Sequence, residues 1–562
     1  MSTGRRLSDL GLGCFLLPVA LGCAPKATSP SGAQTAPAAE QATPTEPVAQ
    51  GPQPDRADVL YAAHPAVPPP PPPCALGAPL PASHSCDDAR GDLAAALSMP
   101  GAARDEALAA LEACADFEPG LVRALRADLG AAECADVLVA PVVGEEVQSS
   151  GAALAPDLRE ALVGLGLAAR LHRLAAVPPV APAIHKKETL EIYYKEALFP
   201  WIESQAAAIY AMSGQGKALH GYGKGLVAIE AGNADMRFVE IARNAPLAEE
   251  IEKVPEARDL YYSTLDEQLE PRKGRGSAAA LVGMREMAQL GVRESERLSS
   301  ARALLSRAYG GRRVNALDTL LVPSLAPEKA TEESTAIASR VPTVYATALV
   351  GQAAVSPQLV RAHLQMGMPL ALRRSVESGE GGALAQLYLA RALFEQGRTY
   401  FRAQDFQDAQ LLLNRILDAE SAEAQASVPA PAPVPGLNAE QREQAILLRA
   451  LCVALLAGPK DAAEMIAQGP RFAEALGNLV LLDALAEGKT ETAARAAFNA
   501  AYLRELVVKP GDPAAWSDLA LRYSRAAKQL RGDEARRAKD RAAACRDIEK
   551  NVRAQLTKKA EL

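Results

Sequence analysis

Residue types that often carry catalysis are present in this chain, but they are scattered along it. The six histidines include no HExxH motif and no close pair; they stand at positions 64, 84, 172, 185, 220 and 363. Two glycine-rich segments end at Lys217 and Gly225, but neither completes the phosphate-binding pattern GxxxxGK[ST]. No GxSxG motif of a hydrolase nucleophile is present either. The sequence therefore predicts no catalytic centre, no metal site and no cofactor.

Four of the eight cysteines cluster in one part of the chain, at Cys74, Cys86, Cys114 and Cys134. In an oxidising compartment, an even-numbered cluster of this kind indicates a disulfide framework. Four cysteines allow three pairings. We expect Cys74–Cys86 and Cys114–Cys134, because pairing in sequence order closes short loops and staples a helical hairpin. A zinc site is disfavoured, since this segment has no CxxC and only one histidine, His84.

The composition favours an all-α fold. Hydrophobic residues make up 49% of the 562 residues but aromatic residues only 4%, so alanine and leucine, which are strong helix formers, dominate the apolar fraction. Cys452 and Cys545 lie in helical runs and are expected to be small buried residues. With 60 Lys+Arg against 67 Asp+Glu, the net charge of −7 argues against a general nucleic-acid-binding protein.

The N-terminus has the features of a bacterial export signal. Its apolar run, Leu10–Leu21, is shorter than the roughly 20 residues that span a bilayer. The run ends in Ala-Leu-Gly-Cys, which resembles the lipobox of bacterial lipoproteins, although Ala20 stands where that family prefers leucine. The resemblance implies a signal peptide over 1–22 and lipidation of Cys23, and Ala24 favours the outer membrane. An ordinary secretory signal is the alternative.

Residues 23–73 are predicted to form a tether. This stretch is rich in alanine, proline, threonine and serine, and it ends in six prolines at 68–73. Such a composition cannot bury enough apolar surface to offset its ordering entropy, so we expect disorder. The proline run is expected to form a stiff polyproline II rod that serves as a spacer. A ligand for a proline-binding domain is the alternative reading of that run.

The segment 391–417, RALFEQGRTYFRAQDFQDAQLLLNRIL, resembles a tetratricopeptide repeat, a helix–turn–helix unit of 34 residues. Leu393, Gly397 and Tyr400 occupy the apolar, close-approach and aromatic positions of the first helix. Ala409 is the small residue of the second helix that lets the two helices touch. The resemblance implies a solenoid of helical hairpins, in which large residues at the glycine and alanine positions would force the helices apart.

Three helical regions are expected after the tether. Short amphipathic patterns predict a disulfide-stapled helical subdomain over 74–177. A degenerate tetratricopeptide-like region follows over 183–380, where Pro200 predicts a kink or a new helix start. The third region, 384–562, holds the best repeat and weaker ones, interrupted by a proline-rich insert over 421–438.

In tetratricopeptide proteins, the first helices of stacked units line a concave groove that binds the ligand. The resemblance carries these positions over to Arg391, Phe394, Arg398, Phe401 and Arg402. Three guanidinium groups and two exposed rings would suit an acidic peptide or a partner helix. The alternative, which we favour, is that Glu395 pairs with the neighbouring arginines along a solvated helix face.

Together these resemblances imply a lipid-anchored scaffold on the periplasmic side of the outer membrane. Its expected partners are envelope proteins of a machine for outer-membrane assembly, secretion, pili or gliding. We expect no enzymatic activity, no small-molecule substrate and no nucleic acid. One alternative is an enzyme that modifies cell-wall glycan, which needs paired carboxylates. The available ones are Glu191, Glu196, Glu203 and Glu240, and no motif singles out a pair. A spacer without a specific partner is the other alternative.

Overall fold

Helices are the only regular secondary structure in the described part of the chain. The computed structural model describes residues 64–74, 86–112, 114–117, 120–143, 156–289, 296–309, 314–322, 345, 372–373, 376–377, 382–400, 402–425, 436–456 and 479–561. The predicted all-α class is thus confirmed. The predicted signal peptide, Cys23 and the tether up to residue 63 lie outside the described residues.

The first helices form a layer in which each packs on the next in the sequence. They are α1 (Ala89–Ser98), α2 (Gly101–Leu111), α3 (Leu121–Leu129), α4 (Ala135–Val143) and α5 (Pro156–Arg173). Helix α1 begins after Asp88, whose carboxylate accepts a hydrogen bond from the Gly91 N–H and so caps the helix. Leu108 and Leu111 of α2 are buried, as expected for one face of an amphipathic helix.

Two disulfide bonds link this layer, but not in the predicted pairing. Cys86 is joined to Cys114, and Cys74 is joined to Cys134. The expected Cys74–Cys86 and Cys114–Cys134 bonds are therefore wrong. The reason is that α1 and α2 form an antiparallel hairpin, which brings the residue before its first helix next to the residue after its second.

The folded part begins before the predicted boundary at residue 74. The carbonyl oxygen of Pro68 accepts a hydrogen bond of 2.9 Å from Arg173 at the end of α5. The Ala66 carbonyl accepts one of 2.8 Å from Gln205, and Ala66 itself is buried. A short 3-10 turn, Pro72–Cys74, then leads into the first disulfide. Residues 64–73, which the sequence assigned to a disordered tether, are held on the body by these bonds.

The middle of the chain is built around one central helix, α8. The helices here are α6 (Lys187–Tyr193), α7 (Phe199–Lys217), α8 (Gly221–Arg243), α9 (Glu249–Glu252), α10 (Pro255–Gln289) and α11 (Glu296–Tyr309). A π-helical turn, Tyr194–Leu198, joins α6 to α7. Pro200 lies in the first turn of α7, directly after the π-helical turn, where the sequence predicted a kink or a new helix start. Helix α8 packs against α5, α7, α10 and α11.

Glycines allow the backbone of α8 to approach two neighbours closely. A Cβ at Gly223 would lie 2.1 Å from the carbonyl oxygen of Glu160 in α5. On another side, two pairs of glycines face each other between α8 and α10: Gly225 with Gly283, and Gly232 with Gly276. A Cβ at Gly232 would lie 2.7 Å from the Gly276 carbonyl oxygen. Because no side-chain carbon fits at such distances, this packing requires glycine.

The C-terminal helices also pack in sequence order, each on the next. They are α12 (Gly382–Tyr400), α13 (Ala403–Gln425), α14 (Ala439–Leu456), α15 (Val480–Ala486), α16 (Glu491–Glu505), α17 (Pro513–Ala526) and α18 (Gly532–Glu561). Helix α14 also contacts α12 and α16. Of the predicted insert 421–438, residues 426–435 lie outside the described residues.

The predicted region boundaries near residues 177–183 and 380–384 do not separate independent cores. Buried residues from Ala66 to Cys545 form one continuous cluster, and all described residues belong to the unit Pro54–Leu562. The segment 314–322 links the middle and C-terminal helices, because buried Asn499 of α16 binds both the N–H and the C=O of Leu321 at 2.7 Å. Among the described helices, none is long and apolar enough to cross a membrane.

Candidate functional site

The best repeat-like unit is the hairpin of α12 and α13, and its anchor residues lie at the contact between the two helices. Leu393, Tyr400 and Ala409 are buried. A Cβ at Gly397 would lie 2.9 Å from the ring of Phe406, so the helices touch where the sequence placed the close approach. The hairpin is therefore closed by the residues on which the resemblance rests.

The two aromatic residues of the predicted groove do not form an exposed pair. Phe394 is fully buried, and its ring centroid lies 5.3 Å from that of Phe406 in the partner helix of the hairpin. The expectation of an exposed ring at Phe394 is wrong, because this ring is needed to close α12 on α13. Phe401 lies outside the described residues.

The three arginines of the predicted groove are engaged within the chain. Arg391 and Arg398 both form ion pairs with Glu395. Burial alone would raise the pKa of Glu395, but the two guanidinium groups outweigh it and the pKa is lowered. Arg402 pairs with Asp405 at 3.5 Å. The pairing that we favoured for Glu395 is present, although these groups are partly buried instead of solvated.

Part of this surface is covered by the chain's own segment 314–322. Arg398 donates a hydrogen bond of 3.2 Å to the Leu320 carbonyl, and Tyr502 donates one of 2.7 Å to the Ala316 carbonyl. Together with Asn499, these side chains hold the segment through its main-chain atoms. Segment 314–322 therefore occupies part of the surface at which a ligand of Arg398 was predicted to bind.

Asp405 gives this hairpin a pH-dependent stability. Its carboxyl is 1% exposed, and burial, only partly offset by Arg402, raises its pKa to about 6. A carboxyl with a raised pKa stabilises the fold below its unfolded value and loses that contribution as the pH rises towards the folded value. Asp405→Asn mimics the protonated form. We therefore expect it to raise the free energy of unfolding by about 1–2 kcal/mol near pH 8, and to change it little near pH 4.

Urea unfolding at both pH values measures this effect. The control is Asp418→Asn, at an exposed position on the same helix, which should leave the pH profile as in the wild type. A loss of stability at pH 8 in the Asp405 variant would contradict the prediction.

A second buried polar network lies around α8. Asp128 of α3 accepts hydrogen bonds from the hydroxyls of Tyr222 at 2.5 Å and Tyr345 at 3.2 Å. Nearby, Arg297 of α11 donates to Glu230 of α8 at 3.0 Å. These side chains come from positions far apart in the sequence, and no local sequence motif predicts that they come together.

The network reaches the surface at one histidine. The Nδ1 atom of His172 lies 3.2 Å from Glu230, and the His172 side chain is partly exposed. Burial favours the neutral form of Glu230, but the hydrogen bond with His172 and the charge of Arg297 outweigh it, so the pKa of Glu230 is lowered. Burial, reinforced by the Asp128 carboxylate, raises the pKa of Tyr222 well above its usual value. The charged members are thus paired with one another, as expected for a structural network.

The carboxylates considered for glycan chemistry are on the surface. Glu191, Glu196 and Glu203 are exposed, and Glu240 is an exposed residue that pairs with Arg307 at 3.3 Å. None of the four has the burial that distinguishes a general acid in a cleft. Within the described ranges, no group of three or more histidine, cysteine, aspartate or glutamate side chains is arranged to hold a metal ion.

Cys452 and Cys545 are buried and not in disulfides, which confirms the sequence prediction. Burial raises the pKa of the Cys545 thiol to about 11 and that of Cys452 further, so neither is a reactive thiolate near neutral pH.

Comparison of the chain with protein-family models, curated proteins and solved structures gave no match.

Proposed function

We propose that this protein is a helical scaffold that binds a protein partner in the bacterial envelope. In this proposal, the C-terminal helices form a tetratricopeptide-like solenoid, and Cys23 carries a lipid that anchors the chain to the periplasmic face of the outer membrane. The partner is a protein of an envelope machine for outer-membrane assembly, secretion, pili or gliding. No enzymatic step is assigned to the chain.

The observation that carries the proposal is the packing of α12 to α18. Gly397 and Ala409 bring α12 and α13 into direct contact, as in a repeat unit. Each following helix packs on the one before it, and α14 also contacts α12, so that the first helices of successive hairpins meet. This pattern of neighbour contacts is the one by which helical repeats build an extended binding surface.

The buried ionisable groups support the same view. Glu395 is bound by two arginines, and Glu230 is bound by Arg297 and His172. Each of these carboxylates is held by partners within the fold, which suits a structural part more than a proton-transferring one.

Site-specific photo-crosslinking in whole cells tests the binding function. A photoreactive residue replaces Leu411 on α13 or Leu521 on α17, two leucines that are about half exposed. We expect a discrete adduct with an envelope protein from at least one position. The same probe in a Gly397→Leu background, which forces α12 and α13 apart, should lose the adduct. Recovery of only the free chain from both positions would overturn the proposal.

The anchor is tested separately by labelling cells with a radioactive fatty acid. We expect incorporation into the wild type and none into Cys23→Ser. Incorporation into both, or into neither, would overturn the assignment of Cys23 as the lipidated residue.

A further inference from the structure

The loop between α5 and α6 exposes aliphatic side chains to an unusual degree. Val177, Val180 and Ile184 are 76%, 93% and 58% exposed. They belong to the uninterrupted apolar run Ala176–Ile184, AVPPVAPAI, which contains no charged or hydrogen-bonding side chain. Single exposed aliphatic residues are normal on a protein surface, but a continuous run of this kind marks an interaction site.

The loop is held in place by hydrogen bonds at its start, middle and end. Its start is set by Ala175, which has a left-handed φ of 52° and donates its N–H to Gln205 at 2.9 Å. Its middle is fixed by the Tyr193 hydroxyl, which donates to the Pro179 carbonyl at 3.0 Å. Its end is fixed where the His185 carbonyl accepts a hydrogen bond from the N–H of Glu249. A left-handed conformation is strained for alanine, so the start of the loop is held at an energetic cost.

We propose that the loop Ala176–Ile184 inserts its aliphatic side chains into the interface of a lipid bilayer. This proposal rests on the proposed location at a membrane but not on the lipidation of Cys23. A bilayer interior offers no hydrogen-bond partner for the main chain, and each unsatisfied group there is costly. Prolines have no N–H, and three of the nine residues in this run are prolines. The run therefore carries fewer main-chain donors into the lipid than an ordinary loop of the same length.

The surroundings of the loop also suit a bilayer surface. Four aromatic residues are partly buried around a small cluster that includes Ala175, the residue directly before the loop; they are Tyr193, Tyr194, Phe199 and Trp201. Tyrosine and tryptophan favour the headgroup level, where one end of the ring is apolar and the other is wet. Lys186, two residues after the loop, is exposed.

Both signs of charge occur next to the loop. Glu188 and Glu191 follow the lysines at 186 and 187, so the segment 186–191 beside the loop has no net positive charge. Insertion should therefore be driven by apolar burial and not by attraction to anionic lipid. This predicts binding to zwitterionic vesicles that salt does not weaken.

Flotation with phosphatidylcholine–phosphatidylethanolamine vesicles tests the proposal. The protein is the chain from Ala24 onwards, which keeps the whole unit Pro54–Leu562 and removes both the predicted signal and Cys23. We expect the wild type to float with the vesicles, and to do so equally in about 0.5 M salt. Val180→Asp/Ile184→Asp should lower the partition coefficient about tenfold or more.

The matched control makes the same change at two exposed leucines on other helices, Leu521→Asp/Leu556→Asp, and should bind within about twofold of the wild type. Thermal unfolding of all variants verifies that the core is intact. Failure of the wild type to float, or equal loss in loop and control variants, would overturn the proposal. So would self-association of the wild type that the loop variant abolishes, since the loop would then cover a second copy. None of these results bears on the fatty-acid labelling of Cys23.

Discussion

Gly223→Ala will lower the free energy of unfolding by about 2–3 kcal/mol, because the added methyl cannot fit between two backbones. Its Cβ would lie 2.1 Å from the carbonyl oxygen of Glu160. Main-chain atoms of α5 cannot rotate away as a flexible side chain can, so the whole helix must move from α8. The buried side chains on both helices then lose contacts.

The matched control is Gly274→Ala on α10, where an added Cβ meets no atom within 4 Å. Because alanine is the better helix former, this variant should gain about 0.5–1 kcal/mol. The same substitution is thus expected to lower the free energy of unfolding at position 223 and to raise it at position 274. Urea unfolding measures both, and a Gly223 variant as stable as the wild type would contradict the packing described here.

A double-mutant cycle sharpens the test. A Cβ at Gly164 of α5 would lie 2.4 Å from the Cα atom of Gly223. Either substitution therefore separates the same two helices, and the second should cost less once the first is present. Strict additivity of Gly164→Ala and Gly223→Ala would mean that the two glycines do not share one contact.

Arg297→Met is the second variant with a large expected effect, a loss of about 3–5 kcal/mol, because it removes one partner of a buried ion pair. The Nη1 atom of Arg297 donates to Glu230 at 3.0 Å, and both side chains are almost completely buried. Without the guanidinium, the Glu230 carboxylate keeps His172 and loses its partner in the buried ion pair.

The pH dependence follows from the pKa of Glu230. In the wild type this pKa is lowered, so the carboxylate stabilises the fold above its usual pKa and loses that contribution as the pH falls. In Arg297→Met, one of the charges that offset burial is removed, so burial favours the protonated form of Glu230 more than in the wild type. We therefore expect the difference in stability between wild type and variant to grow as the pH rises from about 4 to about 7.

Two comparisons isolate the buried pair. Glu230→Gln/Arg297→Met should recover part of the stability that Arg297→Met loses, since it no longer leaves an unpaired charge inside the protein. Arg553→Met breaks an exposed pair with Glu549 on α18 and should cost less than about 1 kcal/mol. Equal losses in Arg297→Met and Arg553→Met would show that the buried network contributes no more than a surface ion pair.

Local features of the fold could be predicted from the sequence. The excess of strong helix formers predicted the all-helical class, and Pro200 marked the place where the π-helical turn gives way to α7. The approach of α12 to α13 followed from the small residues Gly397 and Ala409. Each of these features depends on residue types close together in the sequence, so it can be predicted without knowing which distant helices pack together.

Features that depend on distant partners could not be predicted. The disulfide between Cys86 and Cys114 follows from the hairpin of α1 and α2, which the pairing in sequence order ignored. Phe394 was placed in a groove by analogy, yet its ring packs against Phe406. The ion pair of Glu230 and Arg297 joins positions that share no motif, so only the assembled helices reveal it.

The glycines of α8 have a consequence for how this protein can be divided. Helix α8 contains four glycines in 23 residues, and the three that follow its first residue lower its intrinsic helical stability by about 2–3 kcal/mol relative to alanine. On its own it would be mostly unwound, and α5 and α10 supply the contacts that keep it helical. Cutting the chain near residue 180 would separate α5 from α8 and leave two pieces that each lack half of a contact surface. We expect such halves to fold only when they associate with each other. The middle of this protein is therefore not a domain that can be transferred on its own to another protein.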